Sequence, residues 1–130
     1  MAIDEAKAKE LFLDKMERFI CLVGKKLPDD VAEKLQELAA QETVPLAKTI
    51  YETIAENQSL AEELDRPCCQ DTGVLQFLVR CGTKFPLIDD LEALLKEAVL
   101  RATVSAPLRH NSVETFDEYN TKCNVGTGTP

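Results

Sequence analysis

The stretch Leu91-Glu92-Ala93-Leu94-Leu95-Lys96-Glu97-Ala98-Val99-Leu100-Arg101-Ala102 decides the architecture. Leu91, Leu94, Leu95, Ala98, Val99 and Ala102 recur at intervals of three and four, which on a 3.6-residue helix makes one continuous apolar stripe. Asp89 or Asp90 is the expected N-cap, and Pro107 bounds the helix. Upstream, the period changes. Val74-Leu75-Gln76-Phe77-Leu78-Val79-Arg80-Cys81 is short, β-prone and apolar on both alternating faces, which predicts a strand covered on both sides. No second run of this quality is present, so its expected partner is a sequence after residue 130 or another chain, because unpaired buried backbone is costly.

Further toward the N-terminus the helical period returns three times. Over residues 4–23, Leu11, Phe12, Met16, Phe19, Ile20 and Val23 line one side, and Gly24 is the expected stop. Asp30, with Glu33 as capping-box partner, is expected to open a second helix that carries Val31, Leu35 and Leu38 to about Gln41. A third begins near Thr43, takes Pro45 in its first turn and stacks Leu46, Ile50 and Ile54, with a short continuation over 59–64. Downstream of the stripe, residues 106–130 lose helical period and become a polar, Asn-, Thr- and Gly-rich loop, the kind that builds a site on a rigid support. The predicted class is α+β and helix-dominated: about four helices, one buried strand and a long C-terminal site-building loop.

Composition narrows the function. At 130 residues the chain has the size of one domain, and 45% apolar with 29% charged residues is the balance of a folded protein rather than a disordered one. A net charge of -8 with scattered Lys and Arg offers no cationic field, which argues against nucleic acid and anionic lipid as partners. No apolar run approaches membrane-spanning length and the first residues are acidic, so the expectation is no membrane and no signal peptide. Five cysteines form an odd set without a secreted framework's spacing, and Cys68 and Cys69 would pair only in a strained ring; a reducing cytoplasm is the expected location.

The densest chemical signal is Arg66-Pro67-Cys68-Cys69-Gln70-Asp71-Thr72-Gly73, between a helix end and the expected strand. It places a thiol, a carboxamide and a carboxylate on consecutive residues, a set able to hold a soft metal and a polar substrate together. Read by spacing alone, the same residues are equally two small core cysteines followed by an ordinary turn. The pattern Arg-Pro-x-Cys-Gln-Asp-Thr-Gly resembles the class I, iron-sulfur fumarate hydratase and L-tartrate dehydratase family, with Cys69 at the motif's cysteine. A second block, Ala106-Pro107-Leu108-Arg109-His110-Asn111-Ser112-Val113-Glu114 followed by Phe116-Asp117-Glu118 and Asn120-Thr121, looks closer to the tartrate dehydratase α-subunit branch. Phe85-Pro86-Leu87 and Pro28-Asp29-Asp30-Val31 are similar to residues of that branch as well.

The resemblance implies a hydro-lyase, dehydrating a small hydroxy dicarboxylic acid: L-tartrate to oxaloacetate, or malate and fumarate interconverted. It implies a 4Fe-4S cluster held by three thiolates, its open iron acting as Lewis acid. Carried over by position, Cys69 would ligate the cluster, Gln70 and Asp71 would contact substrate, and Arg109 would pair with a substrate carboxylate through its planar fork. The family's other ligands, its catalytic base and the β subunit lie outside this sequence, so the resemblance makes the 130 residues a single domain or the N-terminal part of a larger α-subunit domain, incomplete alone and part of a hetero-oligomer. Cys68 fills the motif's variable position and is expected beside the ligand or in the core, and neither Cys81 nor Cys123 matches a family ligand. His110, the one histidine, reads as a catalytic group or as a structural loop residue. Cys21 reads as core, and the acidic residues between Glu114 and Glu118 as a solvated loop. The competing class is a non-catalytic helical interaction domain, or a truncated paralogue that has lost the cluster.

Overall fold

The computed structural model describes residues 4–68, 74–114, 116 and 118–127. It has four α-helices, α1 (Glu5–Lys25), α2 (Asp29–Gln41), α3 (Pro45–Glu63) and α4 (Leu91–Ser105), a 3-10 turn over Ile88–Asp90, and two short strands, β1 (Val113–Glu114) and β2 (Tyr119–Asn120). The chain gathers into two packed units, Met1–Cys21 with Asp71–Pro130, and Leu22–Gln70.

In the first unit α4 is the axis of the core. Leu94, Leu95, Ala98, Val99 and Ala102, five of the six residues of the expected stripe, are buried, and the last three are fully excluded from water. Leu13 and Ile20 of α1 pack into the same cluster with Leu87, Ala106 and Leu108. Each of the Leu, Ile and Val side chains contributes about 1.5–3 kcal/mol by leaving water, and the alanines less. The buried face of α1 overlaps the one drawn from the sequence only in part: Ile20 is buried and Phe12 and Met16 pack against the core, but Leu11, Phe19 and Val23 are about half exposed, and Leu13, outside the expected stripe, is buried. The reason is the shape of the neighbouring surface. Phe12 and Met16 lie at the core's edge and, with Phe19, Phe77 and Phe85, line an apolar groove of about 530 Å³.

The cap of α4 also differs from expectation. Asp90 occupies the N-cap position but makes no side-chain cap. Its carboxylate is bound 2.8 Å from Lys9 Nζ, which Glu5 also pairs at 2.8 Å. Asp90 first and Glu5 second raise the Lys9 pKa well above its usual value.

The buried strand expected over 74–81 is not observed. Among the described residues this segment has no regular secondary structure; Leu75 and Phe77 lean on the core while Val74, Leu78 and Val79 are exposed. The physical reason is the one anticipated from the sequence: a strand is made by its partner, and these residues offer it none. The strands that do form, β1 and β2, pair antiparallel with Val113 opposite Asn120 and Glu114 opposite Tyr119, inside the segment expected to be loop.

The second unit holds the helical hairpin of α2 and α3, joined by residues 42–44. Glu42 turns its Oε1 back to accept from the amides of Thr43 (2.7 Å) and Val44 (2.9 Å), and Val44 and Thr43 together hold its carboxyl below the usual range. Pro45 sits in the first turn of α3, where its missing N-H costs little. The helix runs unbroken to Glu63, so the expected continuation after residue 59 is part of α3 itself. The Asp30 capping box is not formed. Pro28 is the N-cap of α2 and its carbonyl accepts from Val31 and Ala32 at 3.1 and 3.0 Å, so the helix starts two residues earlier than the box requires.

Candidate functional site

Two segments carry the predicted chemistry, and each is delivered by a helix end. α3 closes on Asp65, whose φ of 50° places it in the left-handed region, with Asp65 N-H donating to the Glu62 carbonyl and Arg66 N-H to that of Ala61 at 2.9 Å. This is the paired closing pattern of a helix terminus, normally given to glycine. The Asp65 carboxylate is bound by Lys25. The turn sends Arg66-Pro67-Cys68 to the C-terminus of α1. There the Cys68 N-H donates to the Gly24 carbonyl at 3.0 Å and its Sγ to the Lys25 carbonyl at 3.2 Å. Terminal carbonyls need such donors, and with them supplied Gly24 does not stop α1, which runs on to Lys25.

The half-buried, hydrogen-bonded Cys68 thiol is thus used by the fold at the end of α1. The predicted site residues Cys69, Gln70 and Asp71 come directly after it and lie outside the described residues.

The second segment leaves the C-terminus of α4. Ala106 and Leu108 are buried and anchor it, while Arg109 and His110 are exposed. Among the described residues no ion pair engages the Arg109 guanidinium. Beyond His110 the chain forms a supported frame rather than a loose loop. The Thr103 hydroxyl on α4 donates to the Val99 carbonyl at 2.7 Å and accepts from Asn124 Nδ2 at 3.2 Å, and Asn124 Oδ1 accepts from Asn111 N-H at 2.9 Å. Asn120 Nδ2 donates to the His110 carbonyl at 2.8 Å. Thr121 N-H donates to the carbonyl of buried Ser112, and Thr127 N-H to Glu114 Oε1 at 2.6 Å. Glu114 is consequently a brace of this frame, more than the solvated acid expected of it.

Thr103, Asn120 and Asn124 were absent from the candidate residues drawn from the sequence. The signal for Asn124 is its type: asparagine tolerates the left-handed region it adopts (φ 61°), and its short carboxamide reaches nearby backbone.

The thiols test whether a metal group fits. Cys21 Sγ lies 3.5 Å from Ser105 Oγ, half-buried at the edge of the core, and Cys123 Sγ donates to the Val125 carbonyl at 3.4 Å. Cys81 is exposed. Among the described residues no three His, Cys, Asp or Glu side chains come together as a metal-holding group. The described residues by themselves do not fit a cluster. Cys69 is the one thiol that the resemblance names, and it stands beyond them.

A model of the fumarate hydratase (fumerase) family matches residues 13–130, both motif segments included. The chain belongs to the class I fumarate hydratase family. It is 49% identical over 112 residues to the L(+)-tartrate dehydratase subunit alpha of Escherichia coli, and equally to that of Shigella sonnei. It is 36% identical over 106 residues to a putative L(+)-tartrate dehydratase subunit alpha of Methanocaldococcus jannaschii. These matches cover 86%, 86% and 80% of this chain and 37% of each relative, so the chain spans little more than a third of the length of the curated relatives it matches. Among the described residues no helix is long and apolar enough to cross a membrane.

Proposed function

We propose that this chain forms the N-terminal part of the α subunit of a cytoplasmic hydro-lyase that dehydrates a small hydroxy dicarboxylic acid, L-tartrate in first place and malate or fumarate in second, in association with a β subunit. The observation that carries the reading is the 49% identity to a tartrate dehydratase α subunit. In this reading the 4Fe-4S cluster takes one thiolate from Cys69 and the others from outside these residues. The share of this chain is substrate handling. Arg109, exposed in the segment that leaves the C-terminus of α4, offers a planar pair of donors to one substrate carboxylate. Gln70 and Asp71 donate to and accept from the substrate's polar groups beside Cys69.

The test uses the assembled α and β enzyme, with iron content, visible absorbance and steady-state kinetics read together under anaerobic conditions. Cys69→Ser loses iron and the brown colour, because a hard hydroxyl does not replace a soft thiolate. Arg109→Lys keeps the iron but weakens substrate by about 1.5–3 kcal/mol, the size of a hydrogen bond to a charged group. Cys68→Ser, whose thiol serves the end of α1, keeps both. Iron lost with Cys68→Ser and kept with Cys69→Ser would refute this register of the motif. A wild-type assembly inert toward all three acids would favour the non-catalytic interaction domain. The 130-residue chain alone is expected to show no turnover after iron-sulfur reconstitution.

A further inference from the structure

The peptide unit joining His110 to Asn111 is gripped at both polar ends by asparagine side chains. Its carbonyl accepts from Asn120 Nδ2 at 2.8 Å and its N-H donates to Asn124 Oδ1 at 2.9 Å. Each carboxamide is fixed in turn through its remaining atom. Asn120 Oδ1 accepts from Lys122 N-H at 2.8 Å, and Asn124 Nδ2 donates to Thr103 Oγ1 at 3.2 Å. Thr103 is itself tied to the Val99 carbonyl within α4. Thr103 and Asn124 are 5% and 8% exposed, so water does not substitute for a lost bond at this end.

Two pinned atoms fix the orientation of a planar peptide, since rotation about either flanking bond would stretch one of the two hydrogen bonds. The frame accepts backbone strain to achieve this at Lys122, which lies in the left-handed region at φ 58°, while Asn124 occupies the same region at 61° as a residue type that tolerates it. Such strain persists where the surroundings over-determine the conformation, and it collects around sites that need fixed geometry. The residues on the gripped turn are Arg109 and His110, both exposed.

We infer that Asn120 and Asn124 are positioning residues that orient the turn bearing Arg109 so that its guanidinium meets a substrate carboxylate in parallel, two-bond geometry. The inference rests on the proposed role of Arg109. A fork of donors is more sensitive to direction than a point charge, so a turn free to pivot would bind the same acid less well without altering the chemistry elsewhere.

Asn124→Gly tests this, because glycine keeps the positive φ while deleting the carboxamide. Asn124→Asp retains an acceptor for Asn111 N-H, and Asn120→Asp retains the acceptor for Lys122 but loses the donor to His110. In the assembled enzyme, with L-tartrate and with malate, Asn124→Gly should raise KM about tenfold or more with a smaller change in kcat, and Asn124→Asp should fall between it and wild type. In the full 130-residue chain, hydrogen exchange followed by NMR should show faster exchange at the Asn111 amide in Asn124→Gly than in wild type.

Wild-type KM in Asn124→Gly, in an enzyme whose Arg109→Lys variant is impaired, overturns the positioning role and leaves the reading of Arg109 standing. Unchanged KM in Arg109→Lys, or a wild-type assembly without turnover, fails that reading, and the positioning role falls with it. Unchanged exchange at Asn111 denies the grip itself. Should Asn124→Gly not assemble, the half-buried Asn120→Asp carries the same KM test.

Discussion

α4 and the α2–α3 hairpin are built from similar amphipathic patterns and have come to different ends. Six residues of α4 are buried, whereas α2 buries none and α3 only Ala61. On the hairpin Leu46 is 72% exposed and Ile50 53% exposed, although they obey the same i, i+4 rule that hides Leu94 and Ala98. An apolar stripe specifies a helix and the side that would rather be covered; whether it is covered depends on what else the fold brings there. The polar devices differ in parallel. The first unit uses a buried Thr103–Asn124 contact, while the second uses exposed end devices at Glu42 and Asp65.

The largest test of this contrast is Ile20→Ala against Ile50→Ala. The first empties a 2%-exposed core position and should cost about 2–5 kcal/mol, and the second should stay within about 0.5 kcal/mol. Denaturant titration of both variants checks it, and equal effects would erase the distinction between the units. Next in size, Thr103→Val leaves Asn124 Nδ2 buried without its partner and should cost about 1–3 kcal/mol, read in the same titration. Asp65 comes third. Asp65→Val puts a branched side chain at a positive φ and should cost about 1–2 kcal/mol, whereas Asp65→Gly should be near neutral because relieved backbone offsets the lost Lys25 pair. Thermal melting of these two variants should separate them.

The smallest effect is on pH. Arg101 holds the Glu10 carboxyl below its usual range, chiefly by a hydrogen bond, and the Val44 and Thr43 amides do the same for Glu42. A carboxylate with a lowered folded pKa contributes stability above its unfolded value of about 4.3, and that contribution is lost as pH falls through the lower folded value. Melting temperatures should therefore decline below about pH 5. Glu10→Gln and Glu42→Gln should each remove part of the decline. Added salt should blunt the Glu10 share more than the Glu42 share, since the first comes from an exposed ion pair and the second from bonds to neutral amides.

Legibility in the sequence divides in the same way between local and distant causes. The α4 stripe is legible because its period and its burial coincide, and Pro45 marks the start of α3 because its effect is confined to one turn. The 74–81 segment misleads because β-propensity is local and pairing is not. β1 and β2 escape notice because two residues are too few to show alternation. In the candidate site, the motif around Cys69 and the block around Arg109 stand out by residue type. The bonds that hold the Arg109 turn run from Asn120 and Asn124 to backbone ten and thirteen residues away, and no pattern of neighbours announces them.

Phe116, between β1 and β2, is fully exposed, and an aromatic side chain displayed there is a ready target for chymotrypsin. A cut after it would sever the covalent chain without parting the pieces. The downstream piece would stay laced to the upstream one by the Val113–Asn120 and Glu114–Tyr119 pairs, by the Asn120 bond to His110, and by the buried Asn124 bond to Thr103. A nicked protein that elutes intact yet splits in denaturant would make this frame a natural split point, at which the chain could be supplied in two parts and reassembled.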